Sequence, residues 1–107
     1  MYIDVHGPDE LAAVFERSEE KPVLLFVFDP FCPTNTRARN ELDELEEDIY
    51  VVDVAAEHAL GTAIQLYTRV RHESPQLLIL SRKSAIWHAS HGNITARKVM
   101  FALAEAA

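Results

Sequence analysis

Apolar residues in this chain fall into two patterns. Unbroken runs, VLLFVF at Val23–Phe28 and LLIL within QLLIL at Gln76–Leu80, read as strands, the first of them a central strand covered on both faces. Elsewhere apolar residues recur every three or four positions, the spacing of one buried helix face. A first short strand is predicted at Tyr2–Val5. Gly7-Pro8-Asp9-Glu10 then opens a helix, with proline and acids at the end that suits them. Leu11, Val14, Phe15 and Ser18 mark its buried face, Ser18 as a fraying end, and Lys21-Pro22 stops it. A second helix is expected from Pro33 at its first position and Cys32 as N-cap, burying Ala38, Leu42, Leu45 and Ile49. YVVDV at Tyr50–Val54 reads as another buried strand, and Leu60, Ala63, Ile64 and Tyr67 as the next helix face. After Ser74-Pro75, QLLIL and AIWHAS flank a polar turn at Ser81–Ser84 and predict a β-hairpin. The last helix is expected to start near Asn93 or Thr95 and to bury Val99, Met100 and Leu103. The order βαβαβαββα implies an α/β fold: a central mixed sheet with helices on both faces, one domain over residues 1–107.

Composition narrows the function more than the fold. Of 107 residues, 49% are hydrophobic and 25% charged, and with 3 Gly and 5 Pro the chain is neither low in complexity nor disordered in character. The net charge of −7 argues against binding nucleic acid or anionic membrane, since both need a basic face. The acids gather in ELDELEED, Glu41–Asp48, and read as a solvated helix face. The longest apolar run is too short to span a bilayer, and MYIDVHGPDE has neither the basic nor the apolar region of a signal peptide. One cysteine cannot form an internal disulfide. A reducing cytoplasm is the expected location.

That cysteine is the candidate chemistry. Cys32 follows the run Val23–Phe28 and precedes a helix, and in alternating α/β sheets the ligand site lies beyond the carboxyl ends of the strands. A free thiol ionises near pH 8.5, and the thiolate is the nucleophile. A helix N-terminus would favour the anion, with the sulfur facing the N–H groups of Thr34 and Asn35. Against this, a lone cysteine is often a small buried hydrophobe. Arg37 and Arg39 near the helix start could support a thiolate or an incoming carboxylate, or could pair with Glu41 and Asp43 at i,i+4. Arg71 and His72 could meet an anion in the cleft or stand in solvent. Of the other histidines, His88 and His91 point to opposite faces if both lie on a strand, and His6 and His58 are scattered, so no metal site is expected. Trp87 reads as core.

The motifs also carry a resemblance. A strand ending in F-x-x-x-C-P at Phe28–Pro33, then V-D-V, then Ser-Pro before a hairpin resembles the thioredoxin fold. HESPQ at His72–Gln76, Trp87, and SH-x-x-IT at Ser90–Thr95 resemble the monothiol bacilliredoxin (YtxJ-like) family, with likeness from Pro22 to Thr95. The resemblance implies a thiol–disulfide oxidoreductase that removes bacillithiol, a small cytoplasmic thiol, from mixed disulfides on S-thiolated proteins. It makes Cys32 the reactive residue, with Phe31, Pro33, Thr34 and Asn35 in its loop and helix start. Asn35 stands where dithiol thioredoxins have a second cysteine. Ser74-Pro75 matches the cis-proline loop that faces the active cysteine, and Arg37, Arg71 and His72 become candidate anion contacts. Bacillithiol is then a redox co-substrate, with no bound cofactor. Asp29, Pro30 and Phe31 depart from the polar residues usual in the family, and Phe26 occupies the place of the buried acid of thioredoxins. The competing expectation is a redox-silent thioredoxin-like domain that binds a partner protein.

Overall fold

The computed structural model describes residues 1–106. Five strands, β1 (Tyr2–Asp4), β2 (Val23–Phe28), β3 (Ile49–Asp53), β4 (Gln76–Ser81) and β5 (Ser84–Ser90), form one sheet in the order β1-β3-β2-β4-β5. β3 runs parallel to both β1 and β2, while β4 is antiparallel to β2 and β5 to β4. The helices are α1 (Gly7–Arg17), α2 (Asn35–Leu42), α3 (His58–Thr68) and α4 (Ala96–Ala106), and a single 3-10 turn spans His91–Asn93. Among the described residues no helix is long and apolar enough to cross a membrane.

The central strand explains its own sequence. Side chains alternate across a strand, so Val23, Leu25 and Val27 pack with Leu11, Val14 and Phe15 of α1 and Leu60 and Ile64 of α3. Leu24 and Phe26 face the other way, onto Ala38 and Leu42 of α2 and Val99 of α4. Both faces are covered, so no position of the run can be polar. A one-residue slip would exchange the two cores, and the hydrophobic run alone would not resist it. The register is held instead by neighbours on both sides, Leu24 opposite Ile49 in β3 and Ile79 in β4.

Several expected boundaries shift for identifiable reasons. α2 ends at Leu42, so Leu45 is buried in the loop beyond it, and Ile49 belongs to β3, opposite Tyr2 and Leu24. Pairing on both edges captures Ile49 for the sheet although its spacing also fits the helix face. Ser18 does not fray. It is the C-cap of α1 and is 1% exposed. Its hydroxyl donates to Phe15 O at 2.5 Å and accepts the Lys83 N–H at 2.9 Å, while its carbonyl accepts the Arg82 N–H. Arg82 and Lys83 both have positive φ, the geometry of a two-residue hairpin turn, and Ser18 pins that turn to the end of α1. Tyr67 and Met100 are exposed rather than core, though Tyr67 still meets Phe15 edge-on at 5.6 Å. Leu103 is only partly buried.

The i,i+4 ion pairs expected on α2 are absent among the described residues. Arg39 lies over the Tyr2 ring, 4.0 Å from its centroid, an attraction of cation to π face. Asp43 accepts the Tyr2 hydroxyl at 2.5 Å. Burial, then that bond, pushes the Tyr2 phenol up to about 12. Glu41 accepts the Ala96 N–H at 2.8 Å, satisfying an otherwise unpaired donor in the first turn of α4. Part of the acidic run therefore ties α2 to β1 and α4.

Candidate active site

β2 ends at Phe28, and the loop that follows is built by Asp29. Its Oδ1 accepts the Phe31 N–H at 2.9 Å, and its carbonyl accepts the Cys32 N–H at 3.0 Å. An Asp that bonds the backbone two residues on nucleates a tight turn. This turn leaves Phe31 84% exposed and brings Cys32, partly buried, to the C-terminal end of the sheet.

The expected cap is corrected here. The helix begins at Asn35 with Thr34 as N-cap, not at Pro33 with Cys32 as N-cap. The Asn35 N–H is spent on the Cys32 carbonyl at 3.1 Å, so the sulfur does not receive it. Thr34 makes no side-chain cap. Its hydroxyl instead lies 3.1 Å from Cys32 Sγ. A hydroxyl meets the sulfur where backbone N–H groups were expected. Asn35 Oδ1 is buried without a hydrogen-bond partner among the described residues.

The second wall comes from the loop before β4. The Ser74–Pro75 peptide is cis, the geometry implied by the resemblance, and the Ser74 carbonyl lies 3.8 Å from Cys32 Sγ. The protonated thiol can donate weakly to that carbonyl, and the Thr34 hydroxyl can donate to either form of the sulfur. The loop is held by Gln76, 2% exposed, whose amide donates to the Arg71 carbonyl at 3.0 Å. From the other side, the His91 N–H donates to the Pro75 carbonyl at 3.0 Å, and His91 Nε2 lies 3.6 Å from Glu73 Oε1. His91 is on the 3-10 turn at φ 53°, beyond β5, so it does not alternate with His88 as a strand residue would.

The fold thus brings Phe31, Cys32, Pro33 and Thr34 into one loop opposite Ser74 and Pro75. None of the candidate cations hydrogen-bonds to Cys32 among the described residues. Arg37 and Arg71 are exposed, and neither guanidinium hydrogen-bonds or ion-pairs among the described residues. His72 is partly buried and lines a polar cavity with Asp29, His58 and Ser74. His58 and Gln65 of that cavity had no sequence signal, because only the packing of α3 beside the loop brings them there. The Thr34 contact had a weak one: a hydroxyl residue two positions after a cysteine at a helix start.

Comparison with known proteins agrees with this geometry. The family model for monothiol bacilliredoxin matches residues 3–99. A solved thioredoxin-fold protein proposed as an oxidoreductase is 26% identical, with 94% of this chain and 92% of that chain covered and a TM-score of 0.86. A mutant thioredoxin from Halobacterium salinarum is 16% identical, covering 98% of this chain and 89% of that chain at a TM-score of 0.74. Thioredoxin f from spinach chloroplast is 21% identical, covering 98% of this chain and 92% of that chain at a TM-score of 0.71. The two thioredoxins show the fold alone. With residues 3–99 of its 107 matched by the family, the chain belongs to the monothiol bacilliredoxins and has a thiol oxidoreductase-like function.

Proposed function

We propose that the protein removes bacillithiol from mixed disulfides on S-thiolated cytoplasmic proteins, using Cys32 as its one redox thiol. The observation that carries the reading is the placement of the Cys32 sulfur. The residue is partly exposed, and its sulfur lies 3.1 Å from the Thr34 hydroxyl and 3.8 Å from the Ser74 carbonyl, beyond the carboxyl end of β2. In the reaction the Cys32 thiolate attacks the bacillithiol sulfur of the modified protein. A new S–S bond forms at Cys32, the old one breaks, and the protein substrate leaves as a thiolate that takes a proton from water. Asn35 stands where a resolving cysteine would be, and the chain has one cysteine in all. A second bacillithiol or a reductase must therefore release Cys32 by the same exchange. The cis-proline loop presents the Ser74 backbone to the substrate chain, in the manner of strand addition.

The test is to mix reduced protein with bacillithiol disulfide, and separately with glutathione disulfide, at neutral pH and to follow intact mass. A rapid adduct with bacillithiol, lost in Cys32→Ser, is the expected result. Equal adducts from both disulfides would make the protein a general monothiol oxidoreductase. No adduct from either, over times in which an ordinary cysteine reacts, would overturn the reading. It would favour the redox-silent binding domain, for which the exposed Phe31 beside Cys32 is the supporting feature.

A further inference from the structure

β5 is an outer edge of the sheet, and α4 packs against one face of it. Trp87 and Ala89 share a core cluster with Val99, Ala102 and Leu103. Between the two elements lies a groove of about 1090 Å³, lined by Ile86, Trp87, Met100 and Phe101, with Arg97 and Glu105 also on its wall. Ile86, Met100 and Phe101 are exposed there, Phe101 by 69%. Large apolar side chains grouped on one face mark a contact surface more often than single ones do.

Two features narrow the occupant. Ile79 pairs with Trp87 but Leu80 pairs with Ala85, so Ile86 is an extra residue, a bulge in the edge strand. A bulge interrupts the ladder that an added strand would need, so this edge suits a helix better than strand addition. The second feature is the charge on α4. Arg97 and Lys98 stand in its first turn and Glu105 in its last, the reverse of what the dipole of a lone helix favours. Neither Arg97 nor Glu105 forms an ion pair among the described residues. Arg97, Phe101 and Glu105 are four residues apart and all exposed, so they form one row along the helix. Phe101 is the centre of that row, and opposite charges stand at its ends. Such a row is complementary to a copy of itself running the other way.

We propose that this face is the contact between two copies of the chain, with α4 packed antiparallel on the partner's α4 about a two-fold axis near Phe101. In a two-fold contact each pairing occurs twice. Arg97 meets the partner's Glu105, Glu105 meets the partner's Arg97, and the two Phe101 rings meet between them. Each charge that opposes its own helix dipole then faces its complement. α4 has 11 residues and is about 16 Å long, which puts the contact at the small end of interface sizes. The dimer is therefore weak, with a Kd on the order of 10–100 μM. The proposal is independent of the chemistry at Cys32.

Sedimentation equilibrium tests it, with the full chain kept reduced and its concentration varied across that range. The mass should rise from monomer toward dimer. Arg97→Glu and Glu105→Arg should each weaken association by at least about tenfold, since each makes both pairs repulsive. One variant then carries acid at both ends of the row and the other carries base at both ends. An equal mixture of the two should therefore associate where neither does alone. Phe101→Ser should also abolish the dimer. Lys21→Glu, exposed just before β2, makes the same charge change as Arg97→Glu and should leave the Kd within about twofold at physiological salt. A mass that stays monomeric throughout overturns the proposal. So does a dimer that Phe101→Ser leaves intact, or a pair of single variants that do not associate on mixing. Circular dichroism of the dilute variants checks their fold; should a charge reversal disturb it, the parent's dilution series and Phe101→Ser decide.

Discussion

The sulfur of Cys32 and the hydroxyl of Thr34 lie 3.1 Å apart, and the Thr34 side chain makes no hydrogen bond to the helix that it caps. When the sulfur is an anion it has no proton to give, so the hydroxyl must be the donor. Thr34→Val keeps the shape and removes that donor. Alkylation of Cys32 by iodoacetamide at neutral pH should slow about threefold to tenfold, the worth of roughly 0.7–1.4 kcal/mol of hydrogen bonding. Thr34→Ser should react like the parent. An unchanged rate in Thr34→Val would mean that the hydroxyl does not act on the sulfur.

Phe31 is 84% exposed beside the thiol, a position no core role explains. If it greets the polypeptide of an S-thiolated substrate, Phe31→Ala should slow exchange with a thiolated protein by about tenfold, the scale of one buried aromatic contact at an interface. Exchange with a small disulfide should not change. Equal losses on both substrates would place the effect at the sulfur instead.

Ser18 joins two distant segments, the end of α1 and the turn between β4 and β5, through its hydroxyl and its carbonyl. Ser18→Ala leaves the Lys83 N–H without its partner in a partly buried place, at a cost of about 1–3 kcal/mol. Thermal unfolding should show Tm lowered by at least about 5 °C, given about 4–8 °C per kcal/mol for a domain of this size. Ser84→Ala, at an exposed position of the same hairpin, should leave Tm within about 2 °C of the parent.

His6 Nδ1 and Glu57 Oε2 are 2.9 Å apart, and Glu57 also accepts the Gly7 N–H at 2.7 Å. The bond to Glu57 raises His6 above its ordinary 6.5, and its stabilising effect is complete below that value and lost as pH rises through the folded one. Glu57 is lowered from 4.5, first by the Gly7 N–H and then by His6, so its effect is present above 4.5 and lost as pH falls. The Tm difference between the parent and His6→Ala should therefore peak between pH 4.5 and 6.5 and shrink on either side. Both groups are near water, so raised salt should flatten the peak. A difference independent of pH would mean that the pair is not ionised in the fold.

What the sequence by itself determined was everything governed by local period and by counting. The unbroken run Val23–Phe28 is a strand of the interior, because only a strand covered on both faces excludes polar residues from every position. The turn between β4 and β5 and the alternation of helices with strands were equally legible, and so was the need for an outside thiol, since one cysteine cannot resolve itself. The tertiary structure decided whatever depends on contacts between residues distant along the chain. Ile49 fits the buried face of α2 in spacing and was claimed by the sheet, because pairing with both Tyr2 and Leu24 satisfies its backbone. Arg39 and Asp43 had the spacing of an ion pair and were each taken by Tyr2. At the site, local chemistry placed Cys32 at the end of a strand, but its neighbours came from elsewhere. Ser74 arrives across the loop before β4, and His58, Gln65 and His72 gather only because α3 packs beside it. A helix N-terminus can be read from a proline; which donor reaches the sulfur depends on where the first turn spends its N–H groups, and that is settled by the fold around it.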